Sequence, residues 1–151
     1  GYGMVAQLRD WLPDDIGGVY WFYVDNQYVS TYVPIYTGTQ EIDPLYKNYD
    51  PDQYSDESAR WAVDFVDNLL YLRWQDAVTD LQAIRDPLER SFFNDQQEIE
   101  KVALEKYKNN PEDARRYLTE YTKQCMQNTV MMYHTLQKTL ISKYTNNKQG
   151  L

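Results

Sequence analysis

The chain has one cysteine and one histidine, Cys125 and His134, and these are the pair that could share nucleophilic chemistry. A thiol attacks a carbonyl well once a neighbouring base takes its proton, which requires both groups within hydrogen-bond reach. Nine residues of continuous helix make about two and a half turns, so the two side chains point to opposite faces. Cys125 also falls on an apolar stripe, where a small buried thiol is the ordinary role. The expectation is a structural Cys125, a packing or surface His134, and no catalytic residue in this chain. Asp50, Asp52 and Asp56 have the opening spacing of a calcium loop. Its sixth and twelfth positions should be Gly and Glu, but they are Ser55 and Trp61, so solvated loop acids are expected instead. The sequence has no Gly-rich phosphate loop, no Gly-x-Ser-x-Gly and no His-Glu-x-x-His, and neither a metal nor a cofactor is expected.

Tyrosine is the other chemically useful residue, with fifteen copies in 151 residues. Its apolar body and polar tip suit a core and a polar cleft wall alike. Trp21, Tyr23, Tyr28 and Tyr32 are the candidates for lining a substrate cleft, with core packing as the competing role. A net charge of −8 opposes nucleic-acid binding, which depends on Lys and Arg neutralising phosphates. No apolar run reaches the ~18 residues that a membrane span needs. A single cysteine excludes an internal disulfide and does not define the compartment.

The elements that position these residues change character once. Val19–Val24 and Gln27–Val33 are rich in strand formers, and Asp25-Asn26 between them is a hairpin signal. The first run is apolar at every position, which predicts cover on both faces. Thr37–Tyr54 reads as a loop. From there the pattern is helical. Ser55 is a candidate N-cap, and Trp61, Ala62, Phe65, Val66, Leu69 and Leu70 recur at helical spacing towards Ile84. Asp86-Pro87 is expected to stop, kink or restart the helix. Asn110-Pro111 then starts a last helix, with Glu112 and Asp113 at the positive end of its dipole. Ala114, Leu118, Tyr121, Cys125, Asn128, Met132 and Leu136 form its stripe. Val130, Met131 and Ile141, on other sides, are expected to need cover from outside the chain.

The reading is therefore an α+β chain: residues 1–54 form a lead-in, β-hairpin and loop, and residues 55–151 a mainly helical region. Gly1-Tyr2-Gly3-Met4 resembles neither a translation start nor a signal peptide, so a piece of a longer polypeptide is expected.

Leu12-Pro13-Asp14-Asp15-Ile16-Gly17-Gly18-Val19-Tyr20-Trp21 resembles a stretch late in the PepD-type dipeptidases, cysteine peptidases of the N-terminal-nucleophile hydrolase superfamily. The likeness continues through Tyr32–Gly38, Glu41–Pro44 and Glu57-Ser58-Ala59-Arg60-Trp61 to Asn68. Beyond that it is carried by pattern, in Leu88-Glu89, Ile99-Glu100, Ala103 and Leu118–Tyr121. The resemblance implies a bacterial parent several-fold longer, with a four-layer α/β/β/α sandwich. In that family the thiol of an N-terminal cysteine attacks a dipeptide's peptide bond, and its own α-amino group handles the proton. No segment here matches the nucleophile, and the role does not transfer to Cys125. The implied partners are the N-terminal part of the parent and its dipeptide substrate, with self-association through uncovered surface. Export or cytoplasmic residence is left open. Two rival readings remain: a non-catalytic helical protein-interaction module, and a binding protein using its tyrosines as a small-molecule cage.

Overall fold

The computed structural model describes residues 1–145, so 146–151 of the expected helical region lie outside the described residues. The fold is α+β. Strands β1 (Tyr2–Leu8), β2 (Gly18–Val24) and β3 (Val33–Tyr36) form an antiparallel sheet in the order β1-β2-β3. The short helix α1 (Asp14–Gly17) connects the first two. Helices α2 (Ala59–Leu72), α3 (Trp74–Asn109) and α4 (Pro111–Tyr144) follow a loop that contains a 3-10 turn at Pro44–Tyr46.

The expected hairpin is only half present. Asp25 does take a positive φ of 67°, but Gln27–Tyr32 is a loop, and of the expected second strand only Val33 joins β3. The helices supply the reason. The Tyr133 hydroxyl on α4 donates to the Val29 carbonyl at 2.6 Å and lies 3.0 Å from Thr31 Oγ1. Backbone that a ladder would have satisfied is bonded to a helix instead, and Val29, Ser30 and Thr31 are buried. The longest partner of β2 is β1, paired from Tyr2↔Val24 to Leu8↔Gly18. Pro34 sits in the edge strand β3, where a missing N–H costs least.

The helix starts and breaks also move. Ser58 is the N-cap of α2, accepting from Trp61 N, whereas Ser55 accepts from Glu57 N in a local turn. The chain breaks at Arg73 and then runs helically through Pro87 to Asn109. Proline inside a helix costs ~3 kcal/mol. The cost is met around it by packing of Ile84, Leu88 and Phe92, and by Glu89 accepting from Tyr32 N. The Asn110-Pro111 start is as the sequence predicts, with Asn110 Oδ1 accepting from Glu112 N.

Helix α4 serves two cores. Its C-terminal half, from Val130 to Leu140, packs with Ala62, Val63, Val66 and Leu70 of α2. Its N-terminal half, with Leu118, Cys125 and Met126, packs with Val19, Trp21, Val33 and Tyr36 of the sheet and with Phe92 of α3. The half-buried Phe22, Tyr46 and Leu88 belong to both cores. The expected α4 stripe is thus divided between two neighbours, and Asn128 is exposed rather than part of it. Trp61 and Phe65 pack on Tyr54, not at the centre of the α2–α4 contact. Val130 is buried by the chain itself, which corrects its grouping with Met131 and Ile141; those two are exposed, Met131 at 67%.

Candidate functional site

In an antiparallel sheet, residues paired across strands share a face. Val5, Gln7, Val19, Trp21 and Tyr36 therefore lie on one face, and Tyr2, Met4, Leu8, Tyr20 and Phe22 on the other. The first face is held by α3. Trp21 is buried with its ring 4.5 Å from Phe93, and Trp21 Nε1 and Gln96 Nε2 both donate to Gln7 Oε1. Beside them Arg9 Nη1 meets Glu100 Oε2 at 2.6 Å, and the Tyr36 hydroxyl and Gln96 donate to Glu100 Oε1. Burial, then the Glu100 charge, raises the Tyr36 phenol above its ordinary range. This network fixes β1 and β3 on α3.

The second face is open along β1. Tyr2, Met4, Leu8 and Tyr20 are exposed there; Val5, on the first face, and Trp11, after the strand, are exposed too. The expected cover on both sides of β2 exists for Val24 but not for Tyr20. Among the described residues no strand pairs the outer edge of β1. Edge strands are ordinarily protected by charge, proline or a bulge, and Tyr-Gly-Met-Val-Ala-Gln-Leu has no charge and no proline. In the sequence this segment is part of the lead-in; its uncharged, apolar run was the available signal for a strand.

The aromatic candidates do not converge on one cleft. Trp21 is a core residue. Tyr23 and Tyr32 meet edge-on at 5.1 Å, with the Tyr23 hydroxyl donating to Gln27 Oε1. Glu89 accepts from Tyr32 N, and its carboxyl is raised above the usual range by burial. Tyr28 lies apart at 72% exposure, in a groove with Asn26, Tyr71 and Trp74.

Cys125 is buried and its thiol is pushed up to about 12 by burial, far from the thiolate that attacks carbonyls. His134 lies on the same continuous α4, half turned away by helix geometry. The described residues contain no cluster of three or more His, Cys, Asp or Glu able to hold a metal. Nor do they include a helix long and apolar enough to cross a membrane.

A half-enclosed pocket of ≈ 180 Å³ opens beside the uncovered face, between β1, the loop after the 3-10 turn and the start of α2. Phe22, Val24, Leu45 and Tyr46 give it an apolar lining, and Asn48 and Arg60 supply polar groups. The Arg60 guanidinium lies 4.3 Å over the Tyr49 ring. Sequence reasoning missed Arg60 as a site residue. The available signal was a cation in the first turn of a helix, where the dipole favours anions.

The sequence model of peptidase family C69 matches residues 2–86, which comprise the sheet, the loop, α2 and α3 up to the residue before Pro87. The pattern-level likenesses from Leu88 onward lie outside that match. No curated protein matches the chain.

Proposed function

The chain belongs to peptidase family C69, and from that premise we propose that it is the C-terminal structural part of a dipeptidase whose N-terminal cysteine nucleophile lies in another part of the parent. In this reading the open edge and face of β1 receive the part that carries the nucleophile. The observation that carries the proposal is the uncharged, unprotected β1 edge with Tyr2, Met4 and Leu8 exposed beside it. Removing apolar area from water is worth roughly 25 cal/mol per Å², so such a surface favours association. The burial of the chain's single cysteine is the second support, because it leaves the chemistry to another segment. The substrate is a dipeptide, and uncovered copies of the chain associate with one another.

Dipeptide hydrolysis separates this reading from its rival. The purified chain is expected to be inactive, and the full reading frame, exposing an N-terminal cysteine, to be active and blocked by alkylation of that cysteine. Hydrolysis by this chain that vanishes in Cys125→Ala would overturn the proposal. A reading frame with no upstream cysteine that can become N-terminal would instead support the non-catalytic interaction module. One observation favours that second reading: Val130 is buried by the chain's own α2, so the helical core closes without outside help there.

A further inference from the structure

We propose that the pocket at the start of α2 binds a carboxylate attached to a small apolar group, with Arg60 as the cation that holds it. The identification of that ligand with one end of a short peptide rests on the dipeptidase reading; the site itself rests on geometry. The guanidinium carbon lies 4.3 Å over the Tyr49 ring, and among the described residues it has no hydrogen-bond acceptor or ion-pair partner. A cation–π contact occupies none of the guanidinium N–H donors, which stay available to take a carboxylate in bidentate fashion. Asn48 adds an amide to the same pocket.

Local electrostatics favour an anion at this mouth. Ala59 and Arg60 line the pocket and are the first two residues of a fourteen-residue helix, so the positive end of its dipole adds to the arginine's charge. An arginine here opposes that dipole, and a bound carboxylate relieves the opposition. Gly1 also lines the pocket, its terminal ammonium 3.5 Å from Asp25 Oδ1, and Asp64 lies one turn along α2 from Arg60. Burial and then Asp25 hold its carboxyl above the ordinary range, against the lowering effect of Arg60. The apolar lining of Phe22, Val24 and Leu45 selects what accompanies the carboxylate. At ≈ 180 Å³ the cavity is small beside the ~300–1,000 Å³ of drug-sized sites. It suits one side chain with its carboxylate.

The test is titration of the ¹⁵N-labelled chain with 3-phenylpropionate and with its uncharged analogue, 3-phenylpropanamide, followed by amide chemical shifts. The carboxylate is expected to shift Asn48, Tyr49 and Arg60 and to bind at least about tenfold more tightly than the amide. Arg60→Gln should abolish that preference, Arg60→Lys should retain part of it, and Asp64→Asn should tighten carboxylate binding. Equal affinities, a preference that survives in folded Arg60→Gln, or shifts confined to another surface would overturn the proposal. Because binding is read without turnover, its failure is distinguishable from failure of the dipeptidase reading.

Discussion

Replacing Arg9 by methionine tests how the sheet is held on α3. Arg9 and Glu100 are only 10% and 12% exposed, with a 2.6 Å contact between them. Arg9 also donates to the Ile16 and Gly17 carbonyls at 3.2 and 3.3 Å. Methionine keeps much of the apolar stem and removes the cation, leaving Glu100 charged with only Tyr36 and Gln96 as donors. Removing one partner of a buried pair costs about 3–5 kcal/mol. At ~2–4 °C per kcal/mol for a chain of this size, the midpoint should fall by roughly 6–20 °C. Arg9→Met/Glu100→Leu removes both charges and with them the stranded ion. It should therefore be more stable than the sum of the single changes predicts, by about 2 kcal/mol. Thermal and urea unfolding followed by tryptophan fluorescence measure Arg9→Met, Glu100→Leu and the double mutant, since Trp21 is bonded to Gln7 within the same network. A single mutant within about 1 kcal/mol of the parent chain, or strict additivity in the double mutant, would refute the reasoning.

Cys125, with its thiol pushed up to about 12 by burial, should react with a thiol reagent at pH 8 only as fast as the chain opens, which a denaturant series would show. Its folded pKa lies above the unfolded value, so its contribution to stability is full below about pH 8.5 and declines as pH rises towards 12; Cys125→Ala should flatten that alkaline decline in urea midpoints. Tyr133→Phe strands the Val29 carbonyl and the Thr31 hydroxyl and should cost about 1–3 kcal/mol by the same measurement, whereas a loss within a few tenths would mean that the loop does not depend on α4.

Legibility in the sequence followed the range of the interactions involved. The Asn110-Pro111 start was readable because capping is decided within three residues, and the α+β division because periodicity changes once. The strand expected at Gln27–Val33 failed because Tyr133, about a hundred positions later, bonds that backbone. Pro87 ought to interrupt a helix on local grounds, yet the packing of Leu88 and Phe92 and the bond from Tyr32 to Glu89 sustain it. The burial of Cys125 was readable because it lies on the apolar stripe of α4. The four aromatic candidates were less tractable. Residue type cannot distinguish Trp21, a core residue, from Tyr28, a surface residue. Arg60 stood in plain view in a segment noted for its family likeness, but its position over the Tyr49 ring depends on how the loop folds back.

The sharing of Phe22, Tyr46 and Leu88 between the two cores bears on cooperativity. Helix α4 spans both cores, but these three half-buried side chains are where the cores meet away from it. Two of them, Phe22 and Tyr46, also line the pocket beside the open face. Pressure on that lining is therefore felt by the sheet core and the α2 core together. Amide protection along the two halves of α4 should rise and fall in step when the pocket is filled, and separate into two foldons when Phe22 is truncated.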